Sequence, residues 1–243
     1  MANIKLSIII PCFNEENRFG KGFDHYYSYL SKQKYPWELI LVNDGSTDET
    51  LRLMQKASRK SPNVEVLSYK QNHGKGYAIA QGVKKAKGKY LLFSDIDHSV
   101  PIETIESFNK YFKEGYQVVI GSRRVKGAKI EIHQPFGREF LGKGFSFLVK
   151  FLIDSKIKDA TCGFKAFEGE VAEKIFSKIS IFDWAFDAEL LFLTKKFHYK
   201  IIQAPVVWKN VRGTKVNLQK DVLRSLIGLV KIRLNDLQGK YSS

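Results

Sequence analysis

Two carboxylates stand two residues apart, Asp95 and Asp97, directly after the apolar run Tyr90-Leu91-Leu92-Phe93. Where a strand ends and its alternation breaks, side chains at this spacing can converge on one hard cation. Mg²⁺ or Mn²⁺ held in this way keeps positions open for water and for substrate phosphates. Such an ion neutralises charge developing on a leaving diphosphate. A solvated turn would look the same in isolation, and it is the position after the fourth strand of an alternating chain that favours the metal.

Four other polar stretches could meet an anionic ligand. Asn43-Asp44-Gly45-Ser46-Thr47-Asp48 follows the second apolar run, where Asp44 could accept from a base or ribose. Gly45 permits the turn, and Ser46 or Thr47 is expected to cap the next helix. Pro11-Cys12-Phe13-Asn14-Glu15-Glu16 follows the first run, and Glu15 or Glu16 could equally be first-turn acids favoured by a helix dipole. His73-Gly74-Lys75-Gly76 has neither P-loop nor dinucleotide spacing, yet Lys75 could reach a phosphate and its glycines allow close approach. Arg123, Arg124 and Arg138 carry guanidinium forks suited to phosphate, against the plain alternative of surface charge.

These stretches need a scaffold, and the pattern supplies one. Strands are expected at Lys5–Ile10, Trp37–Val42, Val64–Tyr69, Tyr90–Ser94 and Gln117–Ile120. Helices are expected between them at Asn17–Gln33, Thr47–Lys60, Lys75–Lys87 and Pro101–Lys113. Such alternation predicts an α/β fold with a mostly parallel sheet flanked by helices. In such sheets ligands gather beyond the carboxyl ends of the strands, which picks out Pro11–Glu16, Asn43–Asp48, Asn72–Gly76, Asp95–Ser99 and Gly121–Arg124, with Arg138 further on. Beyond Arg124 the spacing predicts a helix over Phe136–Ile153, a compact loop or strand over Asp159–Phe167, and a helix over Phe186–Phe197. It also predicts a strand over Ile201–Trp208, at an edge or bulge because of Pro205. Leu218–Leu237 reads as a basic amphipathic helix with Val222, Leu223, Leu226, Val230, Leu234 and Leu237 largely on one face. The expected division is a catalytic domain over residues 1–216 and a C-terminal helix over 217–243 that could lie on a membrane.

The 243 residues carry a formal charge of +15. Residues 195–243 hold eleven Lys or Arg against two acids, and residues 121–150 hold seven against two. This surface suits phosphorylated small molecules, an anionic membrane or a nucleic acid, or is simply solubilising. No nucleic-acid-binding signature accompanies it, so no nucleic-acid partner is expected. Cys12 and Cys162 form neither a metal pair nor a disulfide framework, and the chain reads as cytoplasmic with reduced thiols. The run Leu6–Ile10 is too short for a signal peptide, and no stretch reaches the ~18 apolar residues of a membrane span. No G-x-G-x-x-G follows the first strand, which disfavours a dinucleotide-dependent oxidoreductase.

Taken together, Ser7–Glu16, Leu41–Thr50, Asn72–Ala78 and Ser94–Asp97 resemble glycosyltransferase family 2. Gly121-Ser122-Arg123, Asp159–Phe167 and Trp184–Leu190 look like the dolichyl-phosphate β-glucosyltransferase and polyprenyl-phosphate glycosyltransferase branch. The resemblance runs from about Leu6 to Asn235 and implies a GT-A (Rossmann-like) fold with a divalent metal. It further implies inverting transfer of a hexose, UDP-glucose being the favoured donor, to a polyprenyl or dolichyl phosphate. By position, Pro11, Asn14, Glu15 and Asp44 would line the nucleotide, Asp95 and Asp97 would hold metal and diphosphate, and Arg123 and Arg138 would meet acceptor phosphate. Asn43 stands where the family usually has Asp, which weakens any role for that position. The transmembrane segments of many relatives are missing, so attachment at the cytoplasmic membrane face would be peripheral.

A lipid monophosphate, with a second pKa of about 6, is its own nucleophile, whereas an alcohol acceptor needs a general base. Asp187 and Asp159 are the candidate bases if one is required. Two rivals follow: a soluble family 2 enzyme acting on a saccharide, and a GDP-mannose-dependent polyprenyl-phosphate mannosyltransferase.

Overall fold

Leu6–Cys12 sends its side chains alternately into two apolar layers, Ile9 into one and Ile8 and Ile10 into the other. Trp37–Asp44 repeats the pattern, with Ile40 and Val42 opposite Leu39 and Leu41. Strands covered on both faces read as continuous apolar runs, as these do. In the computed structural model, residues 4–133, 136–183, 185–211 and 218–242 are described, the side chains of 136–142, 152, 218–223 and 225 excepted.

The strands are β1 (Leu6–Cys12), β2 (Trp37–Asp44), β3 (Val64–Tyr69), β4 (Tyr90–Phe93), β5 (Val118–Ser122), β6 (Lys129–Ile132), β7 (Lys165–Glu168), β8 (Ile201–Pro205) and β9 (Val207–Lys209). The helices are α1 (Glu16–Leu30), α2 (Thr50–Ser58), α3 (Lys75–Lys85), α4 (Thr104–Lys113), α5 (Phe136–Leu152), α6 (Gly169–Lys178), α7 (Phe186–Lys196) and α8 (Leu218–Leu237). Seven strands form one sheet in the order β3-β2-β1-β4-β7-β5-β8. All neighbours run parallel except β7, which is antiparallel to both β4 and β5. Helices α1, α2 and α4 cover one face through Phe23, Met54 and Phe108, and α3, α6, α7 and α8 cover the other through Ile79, Ile175, Leu190 and Ile232. This is the mostly parallel, helix-flanked α/β sheet that the alternation predicts.

Four details depart from the sequence reading. The Asp159–Phe167 stretch is a loop that runs into β7, so the fourth and fifth strands are separated by a later one. The expected strand over Ile201–Trp208 breaks at Val206, leaving β8 at the sheet edge and β9 paired with the unanticipated β6. Helix α6 was not anticipated either. On α8, the stripe containing Leu226, Val230, Leu234 and Leu237 is exposed, and it is Leu229 and Ile232 that are buried against the body. The helix therefore has a second apolar face, too narrow to stand out beside the longer one.

Helix α1 presses directly on the segment after β4. A Cβ on Gly22 would lie 1.9 Å from the Ile96 carbonyl oxygen, so only glycine permits this approach. Tyr26, fully buried one turn later, donates its hydroxyl to the Asp95 carbonyl at 2.9 Å and lies 2.7 Å from Ser94 Oγ. The Asp95–Asp97 backbone is thereby clamped to a helix.

Candidate functional site

The carboxyl ends of β1, β2 and β4 meet the start of β7, and every polar stretch singled out by the sequence except the arginines after β5 lies around that junction. Pro11 is the penultimate residue of β1. Asn14 takes a left-handed backbone, φ 51°, and fastens the first loop to the second. Its N–H donates to Ser46 Oγ at 2.9 Å, and its Oδ1 accepts from the Thr47 N–H at 2.8 Å. Ser46 and Thr47 are thus used between loops, and neither caps α2, which begins only at Thr50.

Asp44 is buried, and its carboxylate accepts from the N–H groups of His73 and Gly74 and from Asn72 Nδ2, each at 2.9 Å. These bonds tie the end of β2 to the loop that starts α3. Glu15 receives Arg18 in a two-pronged pair at 2.7 and 2.6 Å, while its N–H donates to Thr50 Oγ1 at 2.6 Å.

Asp95 and Asp97 each face a cation. Lys75 Nζ lies 2.5 Å from Asp95 Oδ1, and Arg18 Nη1 lies 3.6 Å from Asp97 Oδ2. Asp97 Oδ1 also accepts from the N–H and hydroxyl of Ser99, at 3.0 and 2.7 Å. Burial, and then the neighbouring charge of Asp95, push the Asp97 carboxyl above its ordinary value despite Ser99 and Arg18. Burial alone would lower Lys75, but Asp95 and then Asp187 more than offset it and its pKa is raised. His98, next along the chain, is pushed down to about 4 by burial and by His25, so at neutral pH it adds no positive charge. Gly163 closes over the Lys75–Asp95 pair: a Cβ there would fall 2.1 Å from Asp95 Oδ2 and 3.3 Å from Lys75 Nζ.

Two carboxylates two residues apart on a clamped backbone are hard oxygen donors suited to a dication, which would compete there with Lys75 and Arg18. Among the described residues no group of three or more His, Cys, Asp or Glu side chains gathers to enclose a metal. An ion here would complete its shell with phosphate oxygens and water, as Mg²⁺ commonly does.

The two candidate bases are both ion-paired. Asp159 is fully buried and accepts from Arg123 through Nε and Nη2, both at 2.7 Å, and through its N–H at 2.9 Å. Burial alone would raise its pKa, but Arg123 holds it well below the usual carboxylate range. Arg123 also bonds Thr161 Oγ1 at 2.8 Å and stacks over Trp208. Asp187, in the first turn of α7, accepts from the fully buried Lys165 at 2.6 Å, and the same ammonium bonds the Cys162 carbonyl at 2.6 Å. Arg124 reaches the Lys158 carbonyl at 3.1 Å. The Arg138 side chain and Trp184 lie outside the described residues.

Sequence reasoning did not single out Arg18, Lys165 or Gly163. Arg18 carried a signal in its three-residue spacing from Glu15, which puts both on one helix face. Lys165 carried one as a lone charge inside Phe164–Phe167, an otherwise apolar run.

The profile described as Glycosyl transferase family 2 matches residues 7–176. The dolichyl-phosphate β-glucosyltransferase of Saccharomyces cerevisiae is 34% identical over 259 residues, spanning 98% of this chain and 77% of the relative. Those of Dictyostelium discoideum and Homo sapiens are 33% and 32% identical, each over 98% of this chain and over 76% and 77% of their own. Among solved structures, Mycobacterium tuberculosis glucosyl-3-phosphoglycerate synthase with Mn²⁺, UDP and glucosyl-3-phosphoglycerate gives a TM-score of 0.69 at 19% identity, over 94% of this chain and 80% of that one. Its complex with Mg²⁺ and UDP gives 0.71 at 17%, over 94% and 79%. At such identity the likeness is one of fold.

Proposed function

Because the chain belongs to glycosyltransferase family 2, we propose that it transfers glucose, with inversion, from UDP-glucose to dolichyl phosphate or a related polyprenyl phosphate. The observation that carries this reading is the Asp95–Asp97 pair at the end of β4, with a cation on each carboxylate. Asp95 and Asp97 would hold Mg²⁺ or Mn²⁺, which when bound neutralises the departing diphosphate. Loops 11–15 and 44–48 form the wall beside it and would seat the nucleoside, Asn14 keeping the two in register. The names of the similar curated enzymes support glucose and dolichyl phosphate, and the metal- and UDP-bound synthase of the same fold supports a metal-assisted UDP-sugar site.

The state of the two candidate bases favours a phosphate acceptor over an alcohol. Asp159 is a poor proton acceptor while Arg123 holds it, and Asp187 is engaged by Lys165. A phosphate oxygen, already ionised at neutral pH, attacks the anomeric carbon opposite the departing diphosphate without giving up a proton. What remains for this chain is to hold two anions together, a task for Lys75, Arg18 and the ion pairs behind them. In this role Arg123 and Asp159 brace the acceptor side.

Among the described residues no helix is long and apolar enough to cross a membrane. Instead α5 and α8 pack against each other and leave apolar side chains in the open. Phe147 and Phe151 are 68% and 81% exposed, and Ile227, Val230 and Leu237 are 58%, 59% and 84% exposed. Exposed Lys150, Arg224 and Lys231 flank them. This surface would seat the protein on an anionic bilayer, where its acceptor resides. Arg233 lies over the Phe192 ring, and the Lys220 side chain is outside the described residues.

A donor and acceptor screen tests the reading. Purified protein with Mg²⁺ and a polyprenyl phosphate should turn over UDP-glucose and not GDP-mannose, and calorimetry should show UDP binding more tightly than GDP. Preference for GDP-mannose would make it a mannosyltransferase, and transfer only to saccharides would remove the lipid acceptor.

A further inference from the structure

Lys75 is placed against ordinary helix electrostatics. It is the first residue of α3, after Gly74 at φ 97°, so its ammonium sits at the positive end of the helix dipole. What offsets that position is Asp95, 2.5 Å away, the carboxylate assigned above to the metal. A second carboxylate, Asp187, also acts on Lys75, but its Oδ1 is already bonded by Lys165. Gly163 roofs the pair so closely that a methyl group would collide with Asp95. A divalent ion on Asp95 with the ammonium still in place would put three positive charges on one carboxylate.

We propose that Lys75 is a place-holding cation, paired with Asp95 before a divalent ion binds and handed over to the donor's diphosphate when that ion arrives. The proposal rests on the reading of Asp95 and Asp97 as metal ligands. A lysine suits the role, because a single charge on a flexible four-carbon stem can change partners without losing a two-pronged geometry. Although the Gly76 N–H is taken by the Phe182 carbonyl at 3.1 Å, the start of α3 is the positive end of its dipole, so a diphosphate drawn to Lys75 is favoured by the helix as well. Metal alone must evict Lys75 with no new anion to receive it, whereas metal with nucleotide supplies one. The two ligands therefore bind cooperatively, and each raises the other's affinity by the same factor.

Mn²⁺ titrations with and without UDP, followed by calorimetry or by the loss of the free-ion EPR signal, test this on the wild type and on Lys75→Gln. Thermal melting checks that the variant is folded. Wild type should bind Mn²⁺ weakly alone and roughly fivefold or more tightly with UDP. Lys75→Gln should bind Mn²⁺ more tightly than wild type when UDP is absent and lose most of the gain from UDP. Equal tightening with and without UDP would mean that the lysine only repels the ion, and would overturn the hand-over. Unchanged or weaker Mn²⁺ binding by the variant alone would overturn it too. Wild type that binds no Mn²⁺ even with UDP would remove the metal reading beneath it, and Asp95→Ala should then bind UDP as well as wild type does.

Discussion

Arg18 joins the loop after β1 to the segment after β4: two of its nitrogens bond both oxygens of Glu15, and the third lies 3.6 Å from Asp97. A planar fork can satisfy both partners at once, and an ammonium cannot. Arg18→Lys should therefore keep the charge and still lose about tenfold or more in kcat/KM, the scale of one charge-assisted bond. Steady-state kinetics with varied donor checks this, and wild-type values for the lysine variant would show that the bridge is incidental.

Asp97→Ala and Asp95→Ala should each abolish transfer, by roughly 10²-fold or more, while melting within a few degrees of wild type. Both residues sit in the segment after β4, partly exposed, and contribute little to the core. EDTA should silence the wild type, and added Mg²⁺ or Mn²⁺ should restore it. An enzyme that works in EDTA contains no essential metal.

Asp159 links stability to pH. Its folded pKa lies below the unfolded value near ~3.9, so the stabilisation from Arg123 is complete above that value and is lost as pH falls toward the folded pKa. Asp159→Asn leaves a nearly buried guanidinium without its charge partner, which costs about 3–5 kcal/mol at neutral pH. Melting curves should show a wide gap between wild type and variant at pH 7 that narrows below about pH 4. A gap that stays constant across that range would mean that packing, not charge, is what Asp159 supplies.

Wild-type protein should sediment with anionic vesicles at low salt and be released as salt rises, because about 1 kcal/mol accompanies each Lys or Arg near such a surface. Changing Lys150, Arg224 and Lys231 together to Gln should weaken sedimentation, and Phe151→Glu with Leu237→Glu should abolish it. Protein that remains in the supernatant with anionic vesicles would point to a water-soluble acceptor.

The sequence carried the fold as far as β5 because each of β1 to β4 is followed by its own helix and both report a clear period. It lost the thread at β7, whose four residues include a buried lysine and pair backwards between two strands already made. The placement of the candidate site was legible where loops end strands, as at Asp44, Asp95 and Asp97. Their partners were not, since the contacts of Lys75 with Asp95 and of Lys165 with Asp187 span twenty or more positions and leave no local pattern. On α8 the stronger periodic stripe marked the open face, because apolar spacing reports that a helix has a greasy side and not what covers it.

The reversed strand β7 also governs how the polypeptide can be assembled. β4 and β5 have no edge in common; β4 pairs with β7 along its whole length and β5 through Val118–Ile120. A growing chain that has reached residue 122 holds a four-stranded half-sheet and a fifth strand with nowhere to pair. Only after Glu168 leaves the ribosome do the halves zip together, around a segment that carries Lys165 into the centre. Until then β4 presents an open edge of the kind that recruits foreign strands. Breaking the chain between β5 and β7 would leave two fragments that each lack a sheet neighbour, so the catalytic body is one cooperative unit from its first strand to this late insertion.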